Sequence, residues 1–312
     1  MRPVSAAPSV TRAPAPTAGF LTMHLLACSI GWASGFLFIK LGSVGVSPPV
    51  VAAMRGLIAA AGIALFFALQ RRAFWPRGRE WRDWAVLGLL NGWAPNVLVA
   101  FALDYIGTAP AVMIQASSPL MVAVLAHAMF ADERLTPRRA IGLVVGFAGM
   151  AVLIGPAAFG GVNATGAIAM VGVAVSYALG TIYVRTIPQV EPARLALGQQ
   201  VFSGVPVAML ALAALGPTAF DAVPQNAAAL IALGLISTAL PNLLFMRLIR
   251  GTGPTRAAMV SYLVPVWAAL LAIAFLGETI SLREMAGGAV VLAGVAVVSS
   301  SGRDVDRSSK RR

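Results

Sequence analysis

The chain contains one of its own segments twice. Residues Ser117–Leu153 read SSPLMVAVLAHAMFADERLTPRRAIGLVVGFAGMAVL, and Tyr262–Val298 read YLVPVWAALLAIAFLGETISLREMAGGAVVLAGVAVV. Glu133 aligns with Glu278, Gly142 with Gly287 and Gly149 with Gly294, all at an offset of 145 residues. Pro119 and Pro265 are 146 apart, so one residue is gained or lost before the glutamate. Upstream, Trp32-Ala-Ser-Gly35-Phe-Leu-Phe-Ile-Lys40 matches Tyr177-Ala-Leu-Gly180-Thr-Ile-Tyr-Val-Arg185, and Pro95-Asn96 matches Pro241-Asn242. Two unrelated apolar segments would not keep such rare residues in phase. The repeat fixes the architecture, because both halves must fold alike.

Composition sets the solvent of that fold. Hydrophobic residues make up 59% of the chain and charged residues 11%, too few to solvate a soluble domain of this length. A bilayer-crossing helix needs roughly 20 apolar residues. Such stretches fall near 20–40, 48–69, 83–103, 109–130, 138–155, 164–185, 193–215, 227–249, 256–276 and 282–300. Alanine, glycine and leucine dominate and strand alternation is absent, so the expected spans are helices. The expectation is an all-α integral membrane protein of about ten transmembrane helices in two five-helix repeats. The repeats occupy 20–155 and 164–300, between a disordered tail (1–19) and a basic tail (301–312).

The net charge of +12 has a topological reading. Arg71, Arg72, Arg77, Arg79 and Arg82 lie between the second and third spans. Arg134, Arg138 and Arg139 follow the fourth, Arg185 and Arg194 the sixth, and Arg247, Arg250 and Arg256 surround the end of the eighth. The alternate connections are almost free of basic residues, Arg283 excepted. The positive-inside rule then places both termini in the cytoplasm. Basic residues scattered over short loops do not make a nucleic-acid surface. Five spans is an odd number, so the second repeat enters the bilayer from the opposite side: the repeats are inverted, as in many secondary transporters. Glu133 then closes the fourth span on the cytoplasmic side and Glu278 the ninth on the outer side, both expected at interfaces where water solvates them.

Chemistry is sparse. Cys28 is the only cysteine and His24 and His127 the only histidines, so neither a disulfide framework nor a metal-ligand set is visible. No phosphate-binding loop, paired carboxylates or nucleophile–base pair is present, and the expectation is a non-enzyme without metal or cofactor. The Gly31-x-x-x-Gly35 pair is expected to pack helices. Arg55 lies inside the second span, where a mid-membrane arginine costs about 2.5–3.5 kcal/mol and needs a partner, a wet cavity or a route to the interface. Its repeat mate is Gln200, beside Gln199. The third span carries Asn91, Trp93, Pro95 and Asn96, and the fourth Gln115, Ser117, Ser118 and Pro119. A proline inside a span frees a carbonyl and breaks the helix locally, and polar groups beside such breaks line transporter cavities. Spacing puts Gln115 with Ser118, and Trp93 with Asn96, on shared faces. For any one of these residues hydrogen bonding between helices is an equal reading. Recurrence in the second half, with Asn242, Ser261, Tyr262 and Pro265, favours a common cavity. Candidate substrate-binding residues are Trp32, Arg55, Trp93, Asn96, Gln115, Ser118, Tyr177, Gln200, Asn242 and Tyr262.

The W-A-S-G-F-L-F-I-K run, Arg55, S-P-L followed by D-E-R-L-T, and the Gly142-x-x-x-Gly146-x-x-Gly149 run resemble the EamA-domain family of the drug/metabolite transporter superfamily. The second half repeats the resemblance with Y-L-V-P-V-W and L-G-E-T-I, and only the two tails fall outside it. The resemblance implies a ten-helix permease with a central cavity, often exporting amino acids or related metabolites. The arginine-for-glutamine difference between Arg55 and Gln200 departs from strict symmetry. The expected partners are the lipid bilayer, plausibly a bacterial inner membrane, and a small zwitterionic, neutral, aromatic or weakly anionic solute. The protein is expected as a monomer or homodimer, without nucleic acid. A passive channel and a non-transporting receptor or scaffold are the alternatives.

Overall fold

A computed structural model describes residues 17–42, 44–187, 190–277 and 279–300. Ten helices in it are long and apolar enough to cross a membrane: α1 (Ala18–Leu41), α2 (Pro48–Leu69), α3 (Glu80–Leu103), α4 (Thr108–Met129), α5 (Pro137–Ile154), α6 (Ala164–Thr186), α7 (Pro192–Leu215), α8 (Pro217–Thr252), α9 (Pro254–Leu276) and α10 (Leu282–Ser300). Two boundaries differ from expectation for local reasons. The Thr17 hydroxyl accepts the Phe20 N–H at 3.2 Å, so α1 begins at Ala18, inside the segment expected to be a disordered tail. Two 3-10 turns, Pro217–Phe220 and Pro224–Asn226, lead into α8 and lengthen it. Glu278 and the remainder of both tails, 1–16 and 301–312, lie outside the described residues.

Large apolar side chains such as Leu65, Leu69, Val144, Ile168, Met209 and Phe275 are exposed, as a lipid-facing surface requires. Inside, α1 packs chiefly on α9 and α8, and α6 on α4 and α3. Helix α2 packs on α7, and α5 on α10. Exchanging the first five helices for the second five leaves this pattern unchanged. Apolar burial drives little helix association in lipid, so close backbone approach has to supply it. A Cβ added at Gly56 would stand 2.8 Å from the Gly204 Cα, and one at Gly294 only 2.5 Å from the Gly146 nitrogen. Gly31 and Gly35 likewise pack helices, facing Pro241 and Ser237 of α8.

The prolines break the helices as their chemistry demands. A π turn, Leu89–Trp93, precedes Pro95 in α3, and another, Leu235–Ala239, precedes Pro241 in α8. Ala94 and Leu240 therefore donate five residues back, to Leu89 and Leu235. Neither proline has an N–H to offer the next carbonyl. The Leu90 carbonyl instead accepts the Ser176 hydroxyl of α6 at 2.7 Å. Helix α4 is interrupted after Gln115 and resumes at Ser118. Gln115 and Ser118 were expected on one helix face; the turn at Ala116–Ser117 puts them on two separate segments.

All five described ion pairs lie at the end that carries the arginine-rich connections: Arg72–Glu191, Arg79–Asp83, Arg139–Glu133, Arg185–Asp132 and Arg194–Glu80. Glu133 is not the solvated helix-end residue its position suggests, being only 4% exposed. Arg139 Nη1 reaches its carboxylate at 3.3 Å. Gly253 makes the room: its φ is +89°, and a Cβ there would fall 1.6 Å from Glu133 Oε1. Burial pushes the Glu133 carboxyl above the usual carboxylate range, against the opposing pull of Thr255, Arg139 and Arg185.

Candidate functional site

A hydrogen-bonded polar chain crosses the centre of the bundle, and Thr238 is its joint. The Thr238 hydroxyl donates to the Leu233 carbonyl at 2.9 Å within the π turn of α8 and accepts Arg55 Nε of α2 at 3.1 Å. The Thr238 carbonyl accepts Asn242 Nδ2 at 2.7 Å. Asn242 Oδ1 then accepts Gln199 Nε2 of α7 at 3.0 Å, and Gln199 Oε1 accepts Asn91 Nδ2 of α3 at 3.3 Å. Four helices and both π turns are joined through these side chains. Ser34 and Ser237, 2.6 Å apart, add α1. Leaving one such amide unpaired would cost about 1–3 kcal/mol, which is why the amides occur as a connected set.

Arg55 is the charge in this arrangement. Its side chain is half-buried, and no described carboxylate pairs with it. Nε is engaged by Thr238, but the two terminal nitrogens have no hydrogen-bond partner among the described residues and are not sealed off by packing. Tyr177 of α6 is half-buried, and its hydroxyl likewise has no described hydrogen-bond partner.

The other candidates divide. Trp32 is half-buried and stands edge-on to Phe245 of α8, ring centroids 5.0 Å apart. Trp93 is half-buried at the end of the first π turn, and Gln115 half-buried at the break in α4. Gln200 is buried in the α2–α7 contact. Ser118 donates to the Ala174 carbonyl of α6 at 3.2 Å, and fully buried Tyr262 lies on Gly146 and donates to the Leu143 carbonyl at 3.3 Å. Those two side chains serve contacts between helices. Asn96 is exposed although its repeat mate Asn242 is buried. The position equivalent to Gln199 in the first half is Met54, which offers Asn96 no hydrogen bond.

The structure also brings in Asn91, Gln199 and Thr238, which the candidate set lacked. Asn91 and Gln199 were visible as polar residues in apolar spans. The signal for Thr238 is its place four residues before Asn242, one helical turn away. A separate hollow of about 270 Å³, bounded by Ala60, Ala64, Phe74, Trp81, Trp84 and Leu197, is apolar and contains none of the ten candidates.

Comparison with known proteins agrees with this architecture. The family model of the EamA-like transporters matches twice, at residues 19–155 and 164–300. The uncharacterised transporter YvbV of Bacillus subtilis is 26% identical over 288 residues, covering 91% of this chain and 92% of that protein. The uncharacterised inner membrane transporter YedA of Escherichia coli is 28% identical over 276 residues, 88% and 89% of the two chains. One solved crystal structure superposes with a TM-score of 0.78 at 20% identity, over 91% of this chain and 98% of its own, and so shares the fold. Ten membrane-crossing helices and a family match over each half make this chain a multi-pass cell-membrane transporter, and it belongs to the EamA-like transporter family of the drug/metabolite transporter superfamily.

Proposed function

We propose that the protein is a secondary-type permease that exports a small amino-acid-like or neutral, aromatic metabolite by alternating access around the polar chain at its centre. The observation that carries this reading is the placement of that chain. It joins the two π turns, at equivalent positions of the two halves, where the helices are least regular. Broken helices meeting near the midplane are the usual setting of a transporter site.

Two features support the alternating-access element. The helix contacts survive exchange of the halves, and five crossings per half orient those halves oppositely, with both termini on the arginine-rich, cytoplasmic side. Oppositely oriented halves can trade conformations. The described ion pairs gather at that same end, where a carrier would close its inner mouth.

The test is counterflow in liposomes holding the purified protein. Vesicles are loaded with unlabelled amino acids and small metabolites, and entry of labelled solute is followed. Accelerated exchange of a subset, reduced at least about tenfold in Asn242→Ala, is expected, because that change unpairs Gln199. A passive channel gives flux without counterflow. Absence of flux from folded protein would sink the permease reading.

A further inference from the structure

We infer that Arg55 forms the binding point for a single carboxylate on the transported solute, an inference that rests on the permease reading. A guanidinium carries five N–H donors in a planar fork and cannot shed its charge. Thr238 engages Nε and thereby fixes the plane of the fork. The edge made by the two terminal nitrogens is left without a described partner. Two parallel N–H groups on one edge match the two oxygens of a carboxylate.

Charge narrows the ligand. A cation inside a span without a carboxylate partner is a standing electrostatic debt, relieved by a ligand of one negative charge. A phosphate dianion would overshoot it. The basic residues Arg185, Arg194 and Arg250 are committed at the cytoplasmic end, to Asp132, to Glu80, and to the carbonyls of Ile187 and Val190. The repeat supplies no second site. Opposite Arg55 stands Thr238; in the other half Gln200 takes the place of Arg55 and Gly92 that of Thr238. One half of the centre therefore holds an anion, and the other half is neutral.

The experiment compares each acid with its own amide. Full-length protein in liposomes is assayed for counterflow of the twenty amino acids and a set of aliphatic and aromatic monocarboxylates, each beside its carboxamide. Apparent affinities are also read from thermal stabilisation in detergent. The expected result is exchange of one or more carboxylates, with the matching carboxamide at least about 100-fold weaker. Arg55→Gln should weaken the carboxylate by about 100-fold and abolish the acid–amide difference, while Arg55→Lys retains part of it. Exchange of acids and amides alike by the unaltered protein would overturn the inference and leave the permease reading standing. So would exchange of amides, amines or cations alone, or stabilisation by chloride equal to that by carboxylates. Should Arg55→Gln fail to fold, the acid–amide comparison and Arg55→Lys still decide. Folded protein that exchanges no probe at all would remove the permease reading, and this site with it.

Discussion

Arg55 and Gln200 hold the same place in the two halves, yet their surroundings were rebuilt around the difference. Arg55 found Thr238, and beside Gln200 the neighbouring Gln199 took over the bonding to Asn91 and Asn242. Glu133 is the other residue whose environment departs from its position in the sequence. Its carboxyl titrates above its unfolded value, so the folded state holds the proton more tightly than the unfolded chain does. Stability from this group is fully present below the unfolded value and is lost as pH rises through the raised folded one. Asp132, Arg139, Arg185 and Arg256 surround it. Melting wild type and Glu133→Gln in detergent between about pH 5 and about pH 8 should show the difference moving in favour of wild type as pH falls. A difference that moves the other way would contradict the burial argument.

At the scale of helices, span positions and the proline breaks were legible because they depend on local chemistry. Hydropathy sets where a helix crosses, and Pro95 and Pro241 lack an N–H wherever they sit. What stayed hidden depends on how two helices register. Thr238 becomes a partner of Arg55 only once α2 and α8 are docked, and Glu133 is buried only because Gly253, far along the chain, adopts a positive φ. Neighbouring glycines in α10 differ in what packs against them. A Cβ at Gly287 would meet the Leu153 nitrogen at 2.4 Å, whereas one at Gly288 would touch Val266 at an ordinary 3.8 Å. Gly287→Ala should therefore destabilise the protein by about 1–3 kcal/mol and Gly288→Ala leave it nearly unchanged, as thermal melts of the two variants would show. Equal melting temperatures would mean that α5 and α10 can separate at no cost.

For the whole molecule, orientation is testable because Cys28, the sole cysteine, is fully buried. With Cys28 replaced by alanine, a cysteine at Gly78 should react with an impermeant maleimide only in inverted vesicles, and one at Gly160 only in intact cells. The reverse pattern would turn the protein over in the membrane and refute an inner mouth at the ion-paired end. The unpaired guanidinium of Arg55 also couples the site to voltage. If the proposed solute is a monocarboxylate with no other charge, the occupied site is neutral, and a change of its access would be indifferent to the membrane potential. Empty, it carries one positive charge, and a full crossing of a 100 mV field is worth about 2.3 kcal/mol. In the proposed carrier, a cell interior that is negative would pull the empty site towards the inside. The potential would then reset the carrier without any ion travelling alongside the cargo.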